Sequence, residues 1–232
     1  MTASNHRSHN RPCALIFARA PRLGKVKTRL EKALPPEAVL DIYKNLAADV
    51  MCSVRACIEE DAVLICFYPP DGRRQIVEWL GDRNSHLPQV GIELGERMKN
   101  SFMQAFQRGF SHAILLGTDL PDLPPEIIDE ALSALKAGMP VIGPSADGGY
   151  YLIGFDRFNF NPAVFRPMPW GTAEVFARTI AEFRKSEPLP HILPEWQDID
   201  AYSDLLDLIQ RCSPPSSSAS HTMACLKRLG MV

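Results

Sequence analysis

Apolar residues along this chain fall into two alternating patterns. Short unbroken runs at Cys13–Arg19, Ala62–Tyr68 and His112–Asp119 read as strands buried on both faces. Between them lie longer stretches with apolar positions three and four apart, which read as amphipathic helices. The first follows Pro35-Pro36 and carries Val39, Leu46, Val50 and Val54 on one face. Others are predicted around Ile76–Leu80, from Gly95 to Phe106, from Pro124 to Leu135, from about Thr172 to Lys185, and over Ala201–Arg211. Gln89–Glu93 reads as an edge strand and His191–Leu193 as a short strand. Val141–Gly143 and Tyr150–Phe155 flank a glycine-rich turn, which breaks the alternation and predicts a mixed sheet. The whole pattern predicts an α/β sandwich with a largely parallel sheet.

Composition bounds the rest. The 232 residues are 46% hydrophobic and 22% charged, enough for one sizeable core at 12–212. The stretch 1–11 is polar, without the apolar segment of a signal peptide, and 213–232 reads as a Ser/Pro-rich tail. A net charge of −2 argues against general nucleic-acid or membrane-surface binding. No apolar stretch has the length of a membrane span. The six cysteines have no zinc-like spacing and read as reduced thiols of a cytoplasmic protein. Homodimerisation is left open.

Charge is concentrated locally. From Arg19 to Lys32, directly after the first strand, six Lys/Arg meet a single acid, Glu31. Arg and Lys donors around Gly24 suit a phosphate-bearing ligand, although a solvated basic turn has the same composition. Ala113–Glu130 has the opposite bias, with five acids and no Lys or Arg. Asp119 falls where a buried strand ends, the place where open α/β sheets collect ligands. A carboxylate there can hold Mg²⁺ or Mn²⁺, while Asp122 reads as a helix cap. Alternation puts Asp198 and Asp200 on one side of an extended segment; one could join Asp119 at a metal and the other cap the next helix. Asp147-Gly148-Gly149-Tyr150 reads as a hairpin turn and also as a wall for an acceptor, to which Trp170 could contribute.

In this order, Phe17–Leu30, Leu94-Gly-Glu-Arg-Met98, Gly117–Leu123, Gly143–Gly154 and Asp198–Leu205 resemble one family. It is the radical-SAM/selenodomain-associated transferase group of the nucleotide-diphospho-sugar transferase superfamily. The chain is similar, more distantly, to 2-phospholactate guanylyltransferases and molybdenum-cofactor nucleotidyltransferases. The resemblance implies a glycosyltransferase-A fold, a Rossmann-like three-layer sandwich with a mostly parallel mixed sheet. It also implies a nucleotide or nucleotide-sugar over the first loop and a divalent metal at Asp119. The expected assignments are Lys25, Arg22 and Asp147 as catalytic, and Ala18, Arg19, Gly24, Lys27, Arg29, Arg97 and Thr118 at the nucleotide. Gly148, Gly149, Tyr150 and Trp170 are expected at a small acceptor, and Asp119 and Asp200 at Mg²⁺ or Mn²⁺. Nucleotidyl transfer with pyrophosphate release is the leading expectation; glycosyl transfer and nucleotide binding without catalysis are the alternatives.

Overall fold

The computed structural model describes residues 11–212 and 219–232. Its centre is a seven-stranded sheet of β1 (Pro12–Arg19), β2 (Val63–Tyr68), β3 (Ser85–Pro88), β4 (His112–Leu116), β5 (Val141–Pro144), β6 (Tyr150–Asp156) and β7 (His191–Ile192). The spatial order is β3-β2-β1-β4-β6-β5-β7. Strand β6 runs against both of its neighbours, β4 and β5, while every other pairing is parallel. The glycine-rich turn at 145–149 makes that reversal, so the mixed sheet is as the sequence pattern predicts.

Among the described residues seven α-helices accompany the sheet: α1 (Pro36–Cys57), α2 (Arg73–Leu80), α3 (Leu94–Gln107), α4 (Pro125–Lys136), α5 (Val175–Phe183), α6 (Tyr202–Arg211) and α7 (Ser220–Arg228). α1 and α4 both begin with proline at the first helical position, where the missing N–H costs nothing. α4 and α7 both pack against α1; α3 and α5 both pack against the Pro162–Phe165 turn. The strand residues Leu15, Ile16, Ile65, Ile114, Leu116 and Ile153 are fully buried. Burying each such side chain stabilises the fold by about 1.5–3 kcal/mol.

Two expectations need correction. The edge strand lies at Ser85–Pro88 rather than Gln89–Glu93. Beyond Pro88 the chain bends away: Arg97 donates from Nε to the Gly91 carbonyl (3.0 Å) and from Nη2 to that of Ile92 (2.9 Å). Those acceptors serve a side chain instead of a ladder. The second correction concerns the expected C-terminal tail, of which 213–218 lie outside the described residues. Ser220–Arg228 is a helix, because the buried Asp49 of α1 caps it from a distance. Asp49 accepts from the backbone N–H of His221 (2.9 Å) and Thr222 (2.8 Å) and from the Thr222 hydroxyl (2.6 Å). A carboxylate so placed satisfies orphan donors at a helix N-terminus and complements its dipole. Cys225 and Leu226 then bury against α1 and α6 in a small second core. Of the expected N-terminal tail, residues 1–10 lie outside the described residues, and the Arg11 carbonyl already accepts from Ser111 N (3.0 Å).

Candidate active site

β1 and β4 are adjacent and parallel, but the chain leaves β1 toward β2 on one side and reaches β4 on the other. Their carboxyl ends therefore flank the crevice that such a topology opens. Phe17 and Asp119 stand at its centre and line both of two adjoining cavities, about 260 and 250 Å³ in volume. A third strand-like segment closes over them, because Ile199 N donates to the Asp119 carbonyl (2.9 Å). Ile199 is fully buried, which leaves Asp198 and Asp200 on the open side, as alternation predicts.

The first cavity is basic and polar, with Arg19, Lys27, Arg29, Thr118, Asp119 and Asp200 in its lining. Lys27 is its pivot. Its Nζ lies 2.6 Å from Asp200 Oδ1 and 2.9 Å from Asp119 Oδ2, and its side chain is only 6% exposed. Burial alone would push this ammonium down, but the two carboxylates outweigh it and raise its pKa. The Lys27 backbone is left-handed (φ 46°), a conformation that costs a non-glycine residue about 1 kcal/mol or more. The ionic anchor holds it there. Arg29 Nη1 stands 3.6 Å from Asp200 Oδ2. Below the ion pairs the Tyr43 hydroxyl accepts from Arg19 N (2.9 Å) and donates to the Arg19 carbonyl (3.0 Å), fixing the end of β1. Burial, then the charge of Asp119, pushes the Tyr43 phenol up to about 12, so it stays a neutral donor.

The second cavity is apolar and acidic, lined by Tyr150, Tyr151, Trp170 and Val175 and by Asp119, Asp147 and Asp198. Trp170 reaches it because position 95 is glycine. A Cβ there would fall 2.3 Å from the indole Cζ2, so the Leu94-Gly95 pair is a seat for the ring. Gly148 serves similarly: with φ 87°, a Cβ would meet the Ala173 backbone at 2.4 Å. Its carbonyl accepts from Phe176 N (2.9 Å), tying the turn to α5. Asp147 Oδ1 accepts from Gly149 N (2.8 Å), and Asp198 Oδ1 accepts from the Ser145 hydroxyl (2.7 Å). Burial raises the Asp198 pKa; the Ser145 hydrogen bond opposes this, while the charges of Asp200 and Asp147 add to it.

Most of the residues singled out by sequence meet here. Arg19, Lys27, Arg29, Thr118, Asp119 and Asp200 line the first cavity; Asp147, Gly149, Tyr150 and Trp170 line the second. Others stand elsewhere. Arg22 turns toward Asp71 (3.1 Å), and Lys25 is exposed and outside both linings. Gly24 takes φ 68° in the turn between them, and Ala18 is buried in β1. Arg97 lies 3.9 Å over the Tyr68 ring and binds loop carbonyls. Asp122 does not cap α4, whose cap is Pro124; it accepts from Trp196 Nε1 (3.2 Å) and Arg211 Nε (3.0 Å). Nor do Asp198 and Asp200 cap α6, whose N-cap is Ala201; Asp204 Oδ2 reaches back to accept from the N–H of Asp200 (2.9 Å) and Ala201 (2.7 Å). Tyr43 and Ser145 escaped the sequence reading. Tyr43 sits within an apolar helix face, and Ser145 lies inside a motif read for its glycines.

Among the described residues no three His, Cys, Asp or Glu side chains converge to hold a metal. Asp119 and Asp200 form a carboxylate pair bridged by the Lys27 ammonium.

Comparison with known proteins agrees with the fold. A structure described as a candidate nucleotide-diphospho-sugar transferase from Desulfovibrio desulfuricans G20 superposes with a TM-score of 0.89 at 35% identity, covering 95% of this chain and 96% of that one. A phosphoenolpyruvate guanylyltransferase from Sphaerobacter thermophilus is 27% identical over 206 residues, 85% of this chain and 93% of the relative. A 4-diphosphocytidyl-2C-methyl-D-erythritol synthase from Anaerococcus prevotii DSM 20548 shares the fold at 12% identity, with a TM-score of 0.56 over 88% of this chain and 97% of that one. Residues 53–172 match a family described as uncharacterized protein conserved in bacteria, DUF2064. The chain belongs to that DUF2064 family and has the nucleotide-diphospho-sugar transferase fold.

Proposed function

We propose that this protein is a nucleotidyltransferase that moves a nucleoside monophosphate from a nucleoside triphosphate to a small acceptor. The observation that carries this reading is the Lys27 ammonium held between Asp119 and Asp200 at the ends of β1 and β4, with Arg19 and Arg29 beside it. The chain is a transferase, in keeping with the guanylyltransferase relative and the transferase whose fold it shares at 35% identity.

A triphosphate in the basic cavity brings its phosphates to Arg19, Lys27 and Arg29. These cations answer the charge that collects on the leaving pyrophosphate, and such positioning carries most of phosphoryl-transfer catalysis. The acceptor enters from the second cavity. Its hydroxyl gives its proton to a carboxylate oxygen of Asp147 or Asp198, and its oxygen bonds to the α-phosphorus. The bond from that phosphorus to the bridging oxygen of the β-phosphate breaks, and pyrophosphate leaves with the electron pair. Trp170 and Tyr150 orient the acceptor and exclude water.

The donor set also fits a divalent cation. Two carboxylates already meet around one cation, and Mg²⁺ characteristically takes one or two carboxylates together with phosphate oxygens. Asp119 and Asp200 would hold Mg²⁺ or Mn²⁺, which when bound supplies further neutralisation of phosphate charge. Lys27 then turns to the phosphates. We place the activity in the cytoplasm, in keeping with six free cysteines.

Glycosyl transfer from a nucleotide-sugar is the second reading, favoured by the description of the 35% identical structure. Product analysis separates the two. Incubation with nucleoside triphosphates and Mg²⁺ is expected to release pyrophosphate; release of nucleoside diphosphate from nucleotide-sugars alone would replace the first reading by the second.

A further inference from the structure

The acceptor cavity differs from its neighbour in charge, and the difference bears on what it can bind. Among the described residues, no Lys, Arg or His lines this cavity of about 250 Å³. Three carboxylates do: Asp119, Asp147 and Asp198. Asp119 is answered by Lys27 from the other side. Asp147 and Asp198 rest only on neutral donors, the Gly149 N–H and the Ser145 hydroxyl. The Arg29 guanidinium is turned to Asp200 and lines the adjoining space of about 320 Å³ that Asp147 and Asp198 also border. The rings of Phe17, Tyr150 and Trp170 line the same cavity.

Resting on the reading of the second cavity as the acceptor site, we propose that the acceptor is a hydroxyl compound without negative charge, built on an apolar or aromatic body and neutral or cationic. A phosphate or carboxylate brought here would face two carboxylates with no Lys, Arg or His in the lining of the cavity. Like charges a few ångströms apart repel strongly in a partly desolvated cleft. An aliphatic or aromatic body gains by burial against the rings, and an ammonium gains further from both rings and acids. A divalent cation held by Asp119 and Asp200 would stand at the wall the two cavities share, where it would weaken but not remove the repulsion from Asp147 and Asp198. The chemistry is unchanged by this choice: the acceptor oxygen forms its bond to phosphorus, its proton passes to a carboxylate, and pyrophosphate departs.

A matched series tests the charge rule. Tyramine, tyrosol and 4-hydroxyphenylacetate share one ring and one phenol and differ by a positive, absent or negative group at the far end. Binding of each to the full-length protein, followed by ligand-observed NMR with and without Mg²⁺, is expected to favour tyramine and tyrosol over the anion by about tenfold or more. Asp198→Asn and Asp147→Asn should each narrow that gap, and Trp170→Ala should weaken all three together. Equal or tighter binding of 4-hydroxyphenylacetate, a gap untouched by both Asn variants, or no binding of any probe at millimolar concentration would overturn the proposal. Thermal shift with nucleoside triphosphates, run on the same samples, reports the donor site separately. A triphosphate shift with anion-preferring probes sinks the charge rule alone. Cation-preferring probes without a triphosphate shift sink the nucleotidyl reading and leave the charge rule standing.

Discussion

The two halves of the cleft share a wall at Phe17 and Asp119, yet they treat charge in opposite ways. In the half built by the loop after β1, Lys27 bridges two carboxylates at 2.6 and 2.9 Å and Arg29 stands 3.6 Å from one of them. In the half built by the turn before β6 and the segments before α5 and α6, Asp147 and Asp198 meet only uncharged donors. The first half holds cations on acids from which a phosphate or metal can draw them. The second holds one acid on the turn before β6 and another on the segment before α6, beside aromatic rings. A cleft divided in this way keeps a polyanionic donor on one side and steers its partner, by charge, to the other.

The largest expected effect comes from Lys27. Lys27→Met is expected to lower turnover about 10²–10³-fold, the usual loss when one preorganised charge-stabilising group is removed. Lys25→Ala, at an exposed position two residues away, should leave turnover nearly unchanged. A pyrophosphate-release assay on both variants decides the pair, and a heavier loss at Lys25 would reverse the assignment of the loop.

Gly95→Ala attacks the other half through packing. The added methyl collides with Trp170 and should destabilise the fold by about 1–3 kcal/mol, as overpacking generally does. Urea denaturation measures that cost. Acceptor turnover should fall while the triphosphate-induced thermal shift survives; loss of both together would mean that the halves are not separable.

Asp198→Asn should have the smallest effect, and a stabilising one. Burial and the charges of Asp200 and Asp147 raise the Asp198 pKa, so folding disfavours its ionised form. A carboxylate whose folded pKa lies above its unfolded value costs stability as pH rises through the folded value. Asn removes that cost and retains an acceptor for Ser145. The variant should therefore melt slightly higher than wild type at neutral pH, and the gain should vanish as pH falls into the carboxylate range. A gain that instead grew on acidification would contradict this origin.

The sequence carried much of this because its signals are local. The strand runs, the proline-opened helices and the reversal at 145–149 are each written in a few consecutive residues. So are the acids at strand ends and the alternation that exposes Asp198 and Asp200 around Ile199. What escaped depends on partners far along the chain. Six basic residues follow β1, and which of them faces the cleft is set by the left-handed turn at Lys27 and by acids up to 173 residues away. Arg97 looks like a phosphate ligand by charge, but the carbonyls of Gly91 and Ile92 claim it. Asp122 reads as a cap until Trp196 and Arg211 arrive from the far end of the sheet. The C-terminal helix was hidden because its cap, Asp49, lies in another helix.

Thermal unfolding of the wild type and Asp119→Asn, with nucleoside triphosphates and nucleotide-sugars in the presence and absence of Mg²⁺, tests the divided cleft most directly. A ligand at ~100 times its dissociation constant adds roughly 2.7 kcal/mol, or about 5–10 °C for a domain of this size. The account predicts a shift of that order with a triphosphate and Mg²⁺ in the wild type, and its loss in Asp119→Asn. An undiminished shift in the variant, or none in the wild type with any nucleotide, would contradict it.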